Sequence, residues 1–408
     1  MFRNVMDDIK NDRNKKMIVI FTVSAFLIFL LFALMAIFNN GKIIEWMIMG
    51  GDEESDYYRQ IVYAADLKNI YFNTDDAPFP PFSYLFYHLL FVINPFEAPV
   101  KLSSYRIARD AGFNKLVYMI IMCMHFALFY KAVELHLKKR FSSNISFLFT
   151  TAVVFSIPYL FGSIEKGNII FLVISMMLIA LYLKDSDSKI YREIAMILIA
   201  MCAATKVYPA ILGLLYLKEK RFKEAIRLIA YGVLFVFVPF IFTGGLNGLI
   251  QYLSVLKVFQ TRTIPRYTSI SPMLLAVVDT FAPQMDKIKV LPFNIAVQML
   301  YLLINVVSLF KCKRKSIALM LIGGILSIYV PDSYRYTAGY MIIPFAMLLL
   351  EEKIRIIDYV YFLLFTLIFT IPVYAYVINV SVIDFCVFFP IYIMSLVAYY
   401  DVWIKHEE

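Results

Sequence analysis

The class of fold is decided by the apolar run MIVIFTVSAFLIFLLFALMAIF, which covers Met17–Phe38. This run holds no charged residue and is long enough for a helix to cross a bilayer, which takes roughly 20 residues. The densest acidic stretch of the chain, GDEESDYYR at residues 51–59, follows shortly after it. Because hydrocarbon excludes carboxylates, this stretch is predicted to lie at a membrane surface, in a wet pocket or against a partner.

Composition extends the membrane assignment to the whole chain. Of the 408 residues, 61% are hydrophobic and only 17% are charged, whereas soluble domains average about 45–50% and about 25%. We therefore predict an all-α polytopic membrane protein that forms a single domain over residues 1–408. The formal charge of +9 is typical of Lys and Arg gathered in cytoplasmic loops, so membrane lipids, and not nucleic acid, are the predicted surroundings.

The alternation of apolar runs with basic loops predicts about twelve transmembrane helices. The N-terminal tail and inner loops such as Lys138–Arg140 are short and basic, so both termini are predicted to be cytoplasmic, in a bacterial plasma membrane. Two long segments, residues 39–114 and 244–289, then face outward. The first contains Phe82–Val92, which is too short to cross and is predicted to lie in the interface. The second is amphipathic and is predicted to contain interfacial helices as well.

This topology limits the chemistry. No predicted inner loop is long enough for a nucleotide-binding domain, and no glycine-rich phosphate loop stands between a strand and a helix. We therefore expect a reaction on the outer face, in the catalytic loop 39–114, with a donor that arrives already activated in the membrane.

Asp56 is the candidate catalytic residue. A helix that starts near Asp52 would place Asp52 and Asp56 one turn apart on the same face, and crowded carboxylates near lipid are typical of a general base. The alternative is that Asp52, Glu53 and Glu54 merely stabilise the positive end of a helix dipole.

Basic residues near the predicted outer surface are candidate ligands of a lipid phosphate. Lys206 lies between two apolar runs, where a charge is costly, so it either reaches the headgroups or meets an anion in a cavity. Guanidinium groups match phosphate in a bidentate manner. The predicted phosphate ligands are Lys206, Arg335, Arg266 and Arg262, of which the last two could also be ordinary surface charges.

Aromatic and polar neighbours of these charges form the predicted substrate pocket: Tyr57, Tyr58, Glu165, Asn168, Tyr208, Tyr334 and Tyr336. The turn that contains Glu165 and Asn168 could also be a simple loop. No cofactor is predicted, because the four cysteines and four histidines are scattered without the spacing of a metal site. The alternative is a divalent ion held by Asp52, Glu54 and Asp56.

Four stretches together resemble the GT-C superfamily of membrane glycosyltransferases, and most closely the polyprenyl-phosphate-mannose-type transferases of glycosyltransferase family 87. They are Ser55–Tyr58 with Pro80 and Pro81, Lys166–Asn168, Thr205–Pro209 and Val330–Tyr336. The resemblance implies a GT-C-like fold, a polyprenyl-phosphate-sugar donor and an inverting transfer of one sugar to a glycan or glycolipid acceptor. It also implies a catalytic aspartate in the first outer loop, which corresponds to Asp56.

Two other classes of function stay open. A secondary transporter or a lipid-linked-oligosaccharide flippase would suit twelve spans, but the predicted spans contain almost no acid and no internal repeat is visible, unlike most transporters. A polysaccharide polymerase or ligase would share the outer basic loops and the lipid-phosphate donor, and would differ by moving many sugars at once.

Overall fold

A computed structural model describes residues 12–47, 54–96, 105–261, 268–285, 287–329, 334–373 and 382–405. These residues form helices and turns without a strand. In chain order the α-helices are α1 (Arg13–Phe38), α2 (Lys42–Met47), α3 (Ser55–Ala64), α4 (Ile70–Asn73), α5 (Pro81–Ile93), α6 (Tyr105–Asp110), α7 (Asn114–Leu137), α8 (Ser143–Val154), α9 (Ile170–Leu183), α10 (Lys189–Thr205), α11 (Gly213–Lys218), α12 (Phe222–Phe237), α13 (Gly245–Thr261), α14 (Ile270–Phe281), α15 (Lys287–Lys311), α16 (Lys315–Gly324), α17 (Ile342–Leu349), α18 (Ile356–Ile368) and α19 (Val382–Trp403). Short 3-10 or π-helical segments cover Leu67–Asn69, Ile157–Ile164, Tyr208–Leu212, Val238–Phe242, Ile325–Tyr329 and Arg335–Met341.

Within these ranges, five helices are long and apolar enough to cross a membrane: Arg13–Phe38, Asn114–Leu137, Phe222–Phe242, Lys289–Lys311 and Ile383–Trp403. A sixth candidate is the pair Ser143–Val154 and Ile157–Ile164, which is bent by 60°. Large apolar side chains on these helices stay exposed, such as Leu27 (61%), Met119 (62%) and Leu303 (59%), as expected of a surface that faces lipid. The predicted class, an all-α membrane protein, is confirmed. The count of about twelve spans stays a prediction.

Local sequence explains the ends of the first span. The Asp12 side chain accepts hydrogen bonds from the amides of Asn14 and Lys15, so it satisfies two of the backbone donors that every helix start leaves free. The apolar run then continues without a glycine or proline to Phe38, where the chain turns through Asn40 and Gly41 with positive φ.

The contacts divide the chain into two compact units. The first combines residues 1–51, 130–163 and 264–408, and the second combines residues 52–129 and 164–263. In the first unit, Phe345 of α17 stacks on Phe365 of α18 with ring centroids 4.7 Å apart. Phe345 also meets Phe21 and Phe149 edge-on, at 5.1 Å and 5.2 Å.

The second unit has an aromatic core on the helices that follow the acidic stretch. Its buried members include many tyrosines: Tyr57, Tyr58, Tyr63, Tyr71, Tyr84, Tyr87, Tyr105, Tyr118 and Tyr252. Helix α5 contains the segment Phe82–Val92 that was predicted to be interfacial. Its Tyr84 and Tyr87 are buried in this core, while Leu89 and Val92 stay exposed. The helix is therefore present, and its location at the membrane surface stays a prediction. The core fixes α3, which carries Asp56.

Candidate active site

Asp56 lies in the first turn of α3, which begins at Ser55 and not near Asp52 as expected. The reason is the preceding residue: Glu54 has a left-handed backbone with φ +59. The Glu54 amide donates to the Glu165 carbonyl at 2.6 Å, and the Asp56 amide donates to the Lys166 carbonyl at 2.9 Å. A second segment of the chain therefore satisfies amides at the start of the helix.

This second segment is a tight turn that needs a glycine. Gly167 has φ +68, and a Cβ atom there would lie 2.7 Å from the Cβ of Tyr57 and 3.2 Å from the ring of Tyr118. Only glycine accepts both the backbone angle and the lack of space at low cost. The turn is thereby pressed against the first residues of α3.

Asn168 follows the turn and contacts Asp56 directly. Its Nδ2 donates to Oδ2 of Asp56 at 2.8 Å, while its Oδ1 accepts from the amide of Ile170 at 3.1 Å. Asn168 is buried and Asp56 is half-buried. Within the described residues, no hydrogen bond is made by Oδ1 of Asp56, so one carboxylate oxygen is held and the other is available.

Lys206 lies just after the end of α10, outside the candidate spans. It is buried, and its Nζ lies 5.1 Å from the centroid of the Phe79 ring. The hydroxyl of Ser83 donates to the Thr205 carbonyl at 2.8 Å, which ties the C-terminal end of α10 to α5. Burial lowers the pKa of the Lys206 amine to about 8, and the field of Asp56 acts in the opposite direction. Lys206 is therefore cationic at neutral pH and lies within the electrostatic reach of Asp56.

Tyr57 and Tyr58, predicted to line the pocket, are core residues of the second unit. Their rings meet edge-on at 5.0 Å, and both hydroxyls are buried without a hydrogen-bond partner among the residues that the structure describes. Burial raises the pKa of both hydroxyls well above the ordinary tyrosine value. They therefore stay protonated and cannot serve as bases.

The rest of the turn carries an ion pair that sequence analysis identified only in part. Oε1 of Glu165 lies 3.2 Å from Nζ of Lys166, and both side chains are 8% exposed. Lys166 was not among the predicted site residues, although a lysine beside a glycine between two apolar runs was a usable signal. Tyr208, by contrast, is 43% exposed on a 3-10 segment.

Tyr334, Arg335 and Tyr336 belong to the first unit. The Arg335 side chain is 1% exposed, and its Nε donates to Oδ1 of Asp384 at 2.6 Å. The rings of Tyr334 and Tyr336 lie 5.5 Å apart. Asp384 was not predicted, although an aspartate at the start of an apolar helix is a usable signal.

Three predicted residues, Asp52, Arg262 and Arg266, lie outside the described residues. Within the described part of the chain, no group of three or more His, Cys, Asp or Glu side chains is placed to hold a metal ion. Metal independence stays a prediction, since Asp52 belongs to the alternative ion site.

Comparison with models of known protein families identifies a match. The model of glycosyltransferase family 87 matches residues 112–330, just over half of the chain. The matched range includes Asn168 and Lys206, while Asp56 precedes it and Arg335 follows it. No curated protein matches the chain.

Proposed function

Because the chain belongs to glycosyltransferase family 87 and is a membrane glycosyltransferase, we propose that it moves one sugar from a polyprenyl-phosphate-linked donor to a glycan or glycolipid acceptor. A hexose such as mannose is the proposed sugar. The reaction takes place at the extracytoplasmic face, and inversion at the anomeric carbon follows from direct attack by the acceptor.

Asp56 is the proposed general base. The acceptor hydroxyl forms the new bond to the anomeric carbon, its proton passes to the carboxylate, and the bond from that carbon to the phosphate oxygen breaks with its electron pair on the phosphate. The observation that supports this role is the carboxylate geometry: Asn168 holds Oδ2 at 2.8 Å while Oδ1 makes no hydrogen bond to the described residues.

Lys206 is the proposed partner of the departing phosphate. A fixed cation that meets charge as it develops lowers the barrier without reorganisation. The buried amine of Lys206, with a pKa of about 8, is charged at neutral pH and needs no metal ion for this role. The predicted phosphate contact of Arg335 stays a prediction.

Substitution of Asp56 tests the base. The Asp56→Asn variant keeps the size of the side chain and removes its basicity, so transfer of labelled sugar from a polyprenyl phosphate should fall about 10²–10⁴-fold. The matched control is Asp75→Asn, an exposed aspartate in the same unit, which should transfer normally. Wild-type transfer by Asp56→Asn would rule out this base.

Two further measurements separate the proposal from its competitors. Transfer should persist in EDTA, whereas a loss that Mg²⁺ or Mn²⁺ restores would favour the ion site at Asp52, Glu54 and Asp56. Products should gain one sugar per turnover. Addition of many sugars at once would indicate a polymerase or ligase, and movement of a lipid-linked glycan across proteoliposomes without transfer would indicate a flippase.

A further inference from the structure

We propose that Asn168 is a positioning residue for Asp56, which selects the carboxylate oxygen that receives the acceptor proton. Sequence analysis placed Asn168 in the substrate pocket as a possible contact. The structure supports a role exerted through Asp56 instead. The inference rests on the proposed function, because it assigns a role within the same site.

The orientation of the Asn168 amide follows from its two partners. A backbone amide can only donate, so the atom that meets the Ile170 amide at 3.1 Å must be the side-chain oxygen. The side-chain nitrogen therefore faces Asp56, at 2.8 Å from Oδ2. An amide nitrogen can only donate, and an ionised carboxylate can only accept. This arrangement supports the ionised form of Asp56, ready to take a proton.

The same hydrogen bond distinguishes the two carboxylate oxygens. Oδ2 already accepts from Asn168, so a proton on Oδ2 would compete with that donor, while Oδ1 makes no hydrogen bond to the described residues. The proton of the acceptor hydroxyl is therefore directed to Oδ1. A hydrogen bond to a charged group is also stronger than one between neutral groups, which keeps the carboxylate in one rotamer.

The surroundings make Asn168 a rigid support. It is 2% exposed, it follows a glycine without room for a Cβ atom, and its oxygen is part of an Asx turn at the start of α9. In the same turn, the carbonyls of Glu165 and Lys166 accept hydrogen bonds from the amides of Glu54 and Asp56. Backbone and side-chain contacts thus fix Asp56 to the same few residues.

The test uses two variants that remove the hydrogen bond from Asn168 to Asp56 and keep the hydrogen bond that forms the Asx turn. Asn168→Asp keeps the oxygen that accepts from Ile170 and replaces the donor that faces Asp56 with an acceptor. Asn168→Ser also keeps an acceptor for the turn and is too short to reach Asp56. Both should fold, as judged by thermal unfolding in detergent. Both should lose kcat about 10²-fold, the scale of an ångström-level misplacement, with little change in the donor KM.

The pH profile supplies a readout that a structural role would not change. In Asn168→Ser the lost donor is not replaced at any pH, so the kcat of this variant should stay low throughout the pH range. In Asn168→Asp the two carboxylates share one proton at low pH, which restores a donor toward Asp56. The kcat of Asn168→Asp should therefore be higher at low pH and fall as pH rises.

Two results would overturn the inference. Wild-type kcat and pH profile in Asn168→Asp would mean that only the Asx turn matters, and a raised donor or acceptor KM with unchanged kcat would mean that Asn168 contacts substrate. The Asp56→Asn variant, assayed in parallel, separates this failure from that of the proposed function. If Asp56→Asn transfers normally, the base is wrong. If Asp56→Asn is inactive and Asn168→Asp is fully active, only the positioning role fails.

Discussion

Lys206 is a buried cation whose charge changes with pH close to neutrality. Its pKa of about 8 lies below the ordinary lysine value of 10.5, because burial penalises the charged amine. Binding of a lipid phosphate should therefore weaken above about pH 8, approaching tenfold per pH unit as the ammonium disappears. Titration of polyprenyl phosphate binding from neutral to alkaline pH measures this effect.

A matched variant checks that the alkaline loss comes from Lys206. The guanidinium of Lys206→Arg stays charged throughout that range, so its binding should not decline at the same pH. An identical alkaline limb in both proteins would assign the titration to another group.

The same pKa affects the stability of the fold in the opposite direction. Because the pKa of Lys206 is lower in the folded than in the unfolded protein, the charged amine lowers the free energy of unfolding below about pH 8. This cost disappears as pH rises toward 10.5.

Single residues also show what the sequence alone could not reveal. Asp56 and Lys206 were chosen as candidates because charges beside apolar runs are costly and therefore informative. The contact between Asp56 and Asn168 joins residues 112 positions apart, and no periodicity within either stretch carries that information. For the same reason the sequence suggested a substrate contact for Asn168. The carbonyl groups that accept hydrogen bonds from the amides of Glu54 and Asp56 were not predicted either.

At the scale of elements, the turn before α9 should tolerate no side chain at Gly167. Gly167→Ala would place a methyl group 2.7 Å from the Cβ of Tyr57 at φ +68, so we expect a loss of roughly 1–3 kcal/mol in the free energy of unfolding. Transfer should fall as well, because displacement of the turn moves Asn168. Thermal unfolding and transfer rate measure the two effects.

The chain offers a control of the same chemistry. Gly232 lies inside α12 with no atom within 4 Å of an added Cβ, so Gly232→Ala should fold at least as stably as the wild type. Equal stability of the two alanine variants would contradict the packing described for the turn.

The ion pair of Arg335 with Asp384 joins the start of α19 to a neighbouring 3-10 segment. Breaking a buried pair by removing one partner typically costs about 3–5 kcal/mol, so Asp384→Ala, which removes the carboxylate that accepts from Arg335, should unfold at a clearly lower temperature. The double variant Arg335→Met with Asp384→Leu should lose much less, because neither charge remains. An unchanged unfolding temperature in Asp384→Ala would contradict the buried pairing. The exposed Asp110→Ala, which breaks a surface pair with Arg109, is the control and should change little.

Elements differ in how well the sequence predicted them. The apolar run Met17–Phe38 gave the C-terminal end of α1 to the residue, because hydrophobic length alone defines a span, while the helix starts earlier, at Arg13. The apolar run over residues 145–162 forms a helix and a π-helical segment that together are bent by 60°. Pro158 lies just after the break, as the second residue of the π-helical segment, and prolines are a usual cause of kinks, so this signal was available. The start of α3 was predicted too early, near Asp52. The observed start depends on the carbonyl of Glu165, which is distant in sequence and accepts from the Glu54 amide.

At the scale of the whole molecule, the predicted topology can be tested by cysteine labelling. With the exposed Cys123 replaced, we expect Asn69→Cys in the outer loop to react with a membrane-impermeant thiol reagent applied to intact cells. Lys139→Cys in an inner loop should react only after the membrane is opened. Both positions are exposed, so their difference reports the side of the membrane. Reaction of Lys139→Cys in intact cells would reverse the assignment.

The single domain over residues 1–408 stays a prediction, and the division of the contacts into two compact units could not be predicted from the sequence. Each unit is assembled from separate stretches of chain, and composition does not change where the chain passes from one unit to the other. Hydropathy reports which residues avoid water, but it does not report which helices are neighbours.

The distance in sequence between Asp56 and Asn168 also has a consequence for biogenesis. A ribosome delivers the aspartate to the membrane well before it has made the turn that clamps it, and α7 and the bent pair must be inserted in between. In a nascent chain the Asp56 carboxylate therefore lacks the hydrogen bond from Asn168, and the chain should stay inactive until the turn has been made. Activity would therefore begin late, only after translation of the residues that follow Asn168.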